Sequence, residues 1–239
     1  MIARDKTFEL KTMINMRNKI FLSALLIFFS LGHAGAQTRK LYPVDEAAKD
    51  RSFKVFRDKL LAAASKKDKA FVLSILDPKI QLSFGGDSGL KDFKEMWKID
   101  QPNSKFWDEL TTILKLGGAF QTIEGRKEFA APYITSSWPD KLDSFEYAAV
   151  IGKNVRLRAE PGVNSPVVTS LTYDIVKFIT TEPPTAAVQK DGFDWIKVAT
   201  SDGKQGYVAK TYLRSPVDYR AYFRKVNGSW RMVVFLAGD

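Results

Sequence analysis

The sequence predicts an α+β fold in which an N-terminal domain of helices and strands is completed by a C-terminal β-hairpin and carries an inserted small β-barrel. Three observations support this prediction. Helical periodicity dominates residues 45–116, short strands separated by turn signals follow over residues 147–215, and residues 218–239 alternate around Asn227-Gly228. The predicted domains are a discontinuous α+β domain (37–146 plus 216–239) and the barrel (147–215).

Apolar residues recur at helical spacing through the first part of the chain. Over residues 45–66 they define one face of an amphipathic helix, made of Phe53, Phe56, Leu60, Leu61 and Ala64. Further helices are predicted over 70–76, 90–98 and 104–116, and a strand over 80–84. Residues 119–147 mix short β-like pieces with Pro132 and Pro139, which predicts irregular structure before the barrel.

The C-terminal segment predicts a hairpin with one apolar face. A two-residue turn at Asn227-Gly228 implies the cross-strand pairs Lys225–Trp230, Phe223–Met232, Ala221–Val234 and Tyr219–Leu236. A small barrel fills its own interior, so we expect this face to pack on the N-terminal helices. The contact expected is between Trp230 or Phe223 and the helix of residues 45–66 or 104–116.

The other face of the hairpin is basic. The same register sets Arg224 opposite Arg231, with Arg220 further along the strand. Like charges directly opposed destabilise a sheet, so either carboxylates of the N-terminal domain or an external anion should compensate them. Internal pairing is the simpler interpretation, because unpaired clustered charge is costly. The three arginines are therefore a candidate anion patch.

The first 36 residues resemble a leader that is removed. From Met16, a basic stretch with Arg17 and Lys19 precedes an apolar core over 20–31 and the small-residue site at 34–36. We expect a signal peptide cut before Gln37, with Met16 the true start. The apolar run is shorter than the about 20 residues of a membrane span, so no transmembrane anchor is expected after cleavage. A periplasmic or secreted location follows.

The composition excludes several catalytic chemistries. The chain has no cysteine, and its one histidine, His33, lies in the predicted leader. Zinc sites built on His or Cys and Ser-His or Cys-His nucleophiles are therefore excluded from the mature chain. We expect no cofactor, no metal and no enzyme activity. Paired carboxylates remain open, but Asp108 and Glu109 are predicted to lie on the solvated face of their helix.

The charge points to an anionic partner. The full chain has a formal net charge of +10, and the leader carries five basic and two acidic side chains, which leaves +7 on the mature 203 residues. A basic exported protein is attracted to cell-wall carboxylates, lipopolysaccharide phosphates or acidic lipids. Nucleic acid is not an expected partner outside the cytoplasm.

Residues 147–215 carry a recognisable order of spaced positions. Four stretches carry it, namely VRLRAEP, SPVVTSL, DIVKFI and DWIKVATSDGKQGYVAKTYL. They follow the spaced pattern N-[VL]-R-x-x-P, a leucine with a turn, W-x-x-V, D-G-x-x-G-[WY]-V and a final Y-L. The residues that fall on this pattern are Leu157, Arg158, Pro161, Leu171, Trp195, Val198, Asp202, Gly203, Gly206, Tyr207, Val208, Tyr212 and Leu213. This order resembles the bacterial SH3-like domain. The chain departs from it at Arg156, at Tyr173-Asp174, where a Lys-Gly type of turn is common, and in a longer loop at TTEPPTAAVQKDGF.

The resemblance implies recognition at the cell envelope. Such domains are similar to modules that bind cell-wall peptides or glycans, so the expected partner is peptidoglycan or a protein segment of the envelope. The candidate ligand-binding residues are Arg158, Glu160, Trp195 and Tyr212, although aromatic residues in such positions more often serve as partly buried barrel packing.

Two other functions remain open. One is a carboxylate-dependent cell-wall hydrolase. The other is an N-terminal domain with a small-molecule pocket and a structural barrel, since the helices followed by a closing G-x-W strand resemble a cystatin-like domain of the nuclear-transport-factor type.

Overall fold

The computed structural model describes residues 39–179 and 187–238, so the predicted leader, with its signal peptide and its start at Met16, lies outside the described residues. The described ranges form a mixed α+β structure. Its α-helices are α1 (Arg51–Ser65), α2 (Lys69–Ile75), α3 (Gly89–Trp97), α4 (Phe106–Lys115) and α5 (Tyr133–Ser136). None of the helices in these ranges is long and apolar enough to cross a membrane.

The strands form two sheets. The first sheet has the order β1-β13-β12-β3-β2 and contains β1 (Leu76–Gln81), β2 (Ala119–Ile123), β3 (Arg126–Ala131), β12 (Arg220–Val226) and β13 (Ser229–Leu236). The second sheet has the order β11-β4-β7-β9-β10-β5-β6, and β8 pairs with β9. Its strands are β4 (Tyr147–Val150), β5 (Val155–Arg158), β6 (Val167–Leu171), β7 (Ile175–Phe178), β8 (Val188–Lys190), β9 (Phe193–Ala199), β10 (Gln205–Ala209) and β11 (Leu213–Arg214).

Helix α1 begins where its sequence provides a cap. The Asp50 side chain accepts hydrogen bonds from the backbone N–H groups of Ser52 and Phe53, which the first turn leaves without partners. The predicted apolar face turns inward, since Phe53 and Leu60 are fully buried. Helix α1 therefore covers one face of the first sheet.

The C-terminal hairpin supplies two of the three interior strands of the first sheet. Strand β13 lies between β1 and β12, and β12 pairs with β3 on its other side. The Phe53 ring lies 4.9 Å from the Trp230 ring and 5.8 Å from the Phe223 ring, measured between centroids. The contact that the sequence predicts between the hairpin and the first helix is therefore present.

The predicted register of the hairpin is correct only near its turn. Lys225 pairs with Trp230 and Phe223 with Met232, but a bulge at Tyr222/Phe223 shifts the remaining pairs by one residue. Ala221 then pairs with Phe235 rather than Val234, and Leu236 pairs with Arg220 rather than with Tyr219. The bulge turns the larger Phe235 ring into the core beside Trp97, and this ring replaces the predicted Val234 there.

Two predictions in the first half of the chain are wrong. Residues 119–131 form the β2–β3 hairpin instead of irregular structure, because Glu124 and Gly125 both adopt positive φ and close a tight turn. The predicted strand over 80–84 begins earlier, at Leu76, and includes Pro78. A proline is tolerated there because β1 is an edge strand of the sheet.

The second sheet is open, so the predicted closed barrel is not present in the described residues. Its path ends at β6 on one side and at β11 on the other. The sheet nevertheless encloses a core that includes Val155, Leu157 and Val198. Ile175 of β7 lies outside this core, in a separate cluster with Leu41, Tyr133, Ile134, Leu142 and Ala149.

Polar contacts join the two sheets. The Arg214 guanidinium at the end of β11 donates to the Glu109 carboxylate on α4, although the sequence predicted Glu109 on a solvated face. Lys40, just before the first helices, lies 3.0 Å from the carboxylate of Asp174 beside β7. The two sheets thus belong to one compact unit, and the predicted boundaries at residues 147 and 215 remain a prediction.

Phe53→Ala tests the packing of α1 on the hairpin. The Phe53 side chain is fully buried and its ring contacts five others, those of Phe56, Phe120, Phe129, Phe223 and Trp230. Its removal should lower the free energy of unfolding by about 3–5 kcal/mol, measured by urea denaturation. Val55→Ala on the exposed side of the same helix is the control, and it should change the free energy of unfolding by less than about 0.5 kcal/mol. Equal effects of the two substitutions would contradict the packing described.

Candidate functional site

The second sheet carries a groove of about 370 Å³ beside strand β5. Its walls come from the segment before β5, the β5–β6 loop, strand β9 and the short 3-10 helix after β10. We call it the aromatic groove, and it is lined by Lys153, Asn154, Val155, Arg156, Arg158, Val163, Phe193, Trp195, Ala209 and Tyr212.

The aromatic residues of the groove differ in how firmly they are held. Trp195 is only 4% exposed, and its indole N–H donates to the Lys190 carbonyl at 3.0 Å. Phe193 lies two residues earlier on β9, with its ring centroid 6.1 Å from that of Trp195 at a steep angle. Phe193 and Tyr212 are 41% and 47% exposed. The groove therefore combines a fixed indole with two rings that a ligand can contact.

The loop between β5 and β6 is fixed against the β8–β9 turn. The backbone N–H of Val163 donates to the Asp191 carboxylate at 2.9 Å. Gly162 has a φ of +124°, and a Cβ on it would lie 3.0 Å from the same carboxylate oxygen. The Pro161-Gly162 turn that the sequence predicts is thus required both by its backbone conformation and by this close approach.

The charged residues that line the groove are all cationic. Lys153 and Arg156 are exposed, whereas Arg158 is only 7% exposed. The Arg158 Nη1 donates to the Ser165 carbonyl at 2.6 Å. Strand β10 approaches closely behind it, since a Cβ on Gly206 would lie 2.4 Å from the Arg158 carbonyl oxygen. The glycine of the spaced pattern is therefore required at this crossing.

The structure brings together three of the four predicted ligand-binding residues. Arg158, Trp195 and Tyr212 line the aromatic groove, but Glu160 lies in a neighbouring cleft with Asn164, Ser165 and Lys190. Sequence reasoning missed Phe193. The two-residue repeat of a β-strand could have identified Phe193, because a residue two positions from Trp195 lies on the same face of the strand.

The arginines of the candidate anion patch have internal partners. Arg224 pairs with Arg231 across the hairpin as predicted, and its Nη1 donates to the buried Glu128 carboxylate at 2.8 Å. Arg231 donates to the Ser74 carbonyl. Arg220 is 7% exposed and its Nη2 donates to the Gly238 carbonyl at 2.7 Å. The geometry favours internal pairing over an external anion.

A second cleft, of about 570 Å³, lies at the end of the first sheet and is lined by Asp50, Asp77, Arg126, Lys127, Arg224, Lys225, Val226, Asn227 and Trp230. Its two carboxylates already have structural partners. The hydrogen bond from the Ser52 hydroxyl, aided by backbone N–H groups, lowers the pKa of Asp50 despite its partial burial. Asp77 accepts from the Lys79 backbone N–H at 2.8 Å.

The carboxyl groups of this cleft and of α4 differ in their environments. A general acid needs a raised pKa, and Asp50 has a lowered one. Asp108 is exposed on α4, whereas Glu109 is paired with Arg214. In the ranges 39–179 and 187–238, no group of three or more His, Cys, Asp or Glu side chains could hold a metal ion.

Asp191→Gly tests whether the carboxylate fixes the groove wall. Asp191 has a φ of +52°, so glycine keeps the backbone while removing the acceptor for Val163. Hydrogen exchange at the Val163 amide should accelerate at least about tenfold, as expected for loss of a hydrogen bond to a charged group. Glu124→Gly, at a similar φ in the distant β2–β3 turn, should leave that amide unchanged. An unchanged rate in Asp191→Gly would contradict this role.

Comparison with protein-family models, with curated proteins and with solved structures gives no match to this chain.

Proposed function

We propose that the protein is an exported, non-catalytic component of the bacterial cell envelope that binds peptide segments in the aromatic groove. The observation that carries this proposal is the convergence of Phe193, Trp195 and Tyr212 with three cationic residues and no acidic one. Peptidoglycan stem peptide is the preferred ligand, and a protein segment of the envelope is the alternative.

The shape and lining of the groove suit a peptide. Its volume lies at the lower end of the about 300–1,000 Å³ range of ligand sites, so it takes a few residues rather than a long chain. Exposed rings provide apolar contact at low entropic cost, because aromatic side chains have few rotatable bonds. Trp195 is already fixed by its hydrogen bond to Lys190, which reduces the ordering required on binding.

The proposed location rests on the sequence. The predicted signal peptide would export the chain, and the mature net charge of +7 favours anionic cell-wall polymers. Peptidoglycan carries carboxylates on its peptides, which agrees with the cationic lining of the groove. Periplasm and cell exterior are both compatible with this proposal.

We also propose that residues 147–215 are an SH3-like module in an open form. Family positions occupy structural roles that such a module needs: Leu157, Val198 and Val208 lie in its core, and Gly206 allows the close crossing of β10 over β5. The resemblance of the remaining α+β part to a cystatin-like domain of the nuclear-transport-factor type is likewise a proposal, supported by helices packed against one face of a sheet.

The two alternative functions are supported less well. A hydrolase would use the second cleft, where Asp50 and Asp77 are the only acidic lining residues and both serve local backbone hydrogen bonds. A small-molecule pocket would need space under α1 and α4. That region holds closely packed rings, with Phe53 4.2 Å from Phe129 and Phe93 5.0 Å from Phe106 between centroids.

Co-sedimentation with purified peptidoglycan sacculi tests the proposed function. The double substitution Phe193→Ser/Tyr212→Ser removes two exposed rings and should weaken binding at least about tenfold, as loss of central aromatic contacts does. Phe145→Ser is the matched control, because Phe145 is 53% exposed and does not line the groove. This control should bind as the native protein does.

The same experiment separates binding from catalysis. Released muropeptides are measured in the supernatant after prolonged incubation, and none are expected. Sedimentation that is equally strong for the native protein and the double variant would contradict the groove as the binding site. Release of muropeptides that is lost in Asp50→Asn would establish the hydrolase instead.

A further inference from the structure

The unusual feature of the aromatic groove is the environment of Arg158. Arg158 is only 7% exposed, and its guanidinium donates a hydrogen bond to a neutral group, the Ser165 carbonyl, at 2.6 Å. Among the described residues, Arg158 forms no ion pair with a carboxylate. Burial of a guanidinium without a counter-ion is costly, so such groups are normally paired.

Two other arginines of this chain follow that rule. Arg214, also buried, has the Glu109 carboxylate as its partner, and Arg224 has the buried Glu128 carboxylate at 2.8 Å. The nearest acidic residue along the strand from Arg158 is Glu160, which lines the neighbouring cleft instead. Arg220 is as buried as Arg158 and also donates to a backbone carbonyl, that of Gly238, but it does not line the aromatic groove. What sets Arg158 apart is therefore that it is a buried cation, without a carboxylate partner among the described residues, in the lining of a ligand-sized groove.

We propose that the ligand of the aromatic groove supplies this counter-ion: it is a peptide that carries a carboxylate, bound by Arg158, next to a small apolar group that packs against Trp195 and Tyr212. This inference rests on the proposed function and narrows its ligand class. Lys153 and Arg156 strengthen it, because they add positive charge to the same groove and no acidic residue lines it.

The geometry of a guanidinium explains why a carboxylate is preferred over an amide. A carboxylate accepts two parallel hydrogen bonds from one guanidinium, whereas an amide offers a single neutral oxygen. Hydrogen bonds that involve two charged groups are the stronger ones, and the low exposure of Arg158 reduces competition from water. Removing the ligand charge should thus cost at least about tenfold in affinity.

The test compares three short peptides on the full native chain. They are acetyl-D-alanyl-D-alanine, which has a terminal carboxylate, its C-terminal amide, and acetyl-D-alanyl-D-glutamate with only its main-chain carboxyl amidated. Dissociation constants come from the indole N–H signal of Trp195 in ¹H–¹⁵N spectra, where five tryptophans give few signals to assign. At least one acid should bind about tenfold or more tightly than the amide. Which acid does so distinguishes a terminal from a side-chain carboxylate.

Arg158→Gln should abolish the preference for the acid, so that acid and amide bind equally. Arg158→Lys keeps the charge and should retain part of the preference for the acid. It is the variant to measure if Arg158→Gln fails to fold. Glu160→Gln is the control and should leave all three affinities within about twofold, since Glu160 lies outside the groove.

Equal binding of acid and amide by the native chain would overturn the inference while leaving the proposed function intact. So would a preference for the acid that survives in folded Arg158→Gln. Binding to sacculi without binding to any of the three peptides would also overturn it. If the native chain binds neither sacculi nor any of the three peptides, both the proposed function and this inference are overturned.

Discussion

The packing of helix α1 against the C-terminal hairpin stabilises the whole first sheet. Phe53 contacts Phe223 and Trp230, whose strands lie inside the first sheet and separate β1 from β3. Fully burying each large apolar side chain is worth about 1.5–3 kcal/mol, so a few such residues of the hairpin rival the about 5–15 kcal/mol net stability of a domain. The first sheet is therefore incomplete until the last residues of the chain are in place.

The second sheet is connected to the first at both ends of its chain segment. Its chain leaves the first sheet after β3 and returns before β12, and its first and last strands, β4 and β11, pair with each other. Tyr173-Asp174, where the SH3-like domains that this segment resembles commonly have a Lys-Gly type of turn, has a structural role in this chain. The Asp174 carboxylate forms an ion pair with Lys40, and the Tyr173 carbonyl accepts a hydrogen bond from the Leu41 backbone N–H at 2.8 Å. The segment that precedes α1 therefore contacts the second sheet at this turn.

Hydrophobic periodicity and turn residues predict most of the helices and strands. The features that depend on packing between distant segments could not be predicted in this way. The helices and the Asn227-Gly228 turn follow from local sequence, and the apolar face with Phe53 and Phe223 follows from spacing. The bulge at Tyr222 does not, because it depends on how Phe235 fits among the rings of α3 and α4. Likewise Arg158 and Glu160 share one sequence stretch, but the fixed β5–β6 loop places them in different clefts.

The most direct test of the hairpin's role uses the chain ending at residue 216, observed through its tryptophan indole N–H signals. Trp97 and Trp107 report on the core of the first sheet, and Trp195 reports on the second. In this shortened chain the signals of Trp97 and Trp107 should collapse to the positions of an unfolded chain, while that of Trp195 should keep its native position. Native positions for Trp97 and Trp107 in the shortened chain would contradict this role of the hairpin.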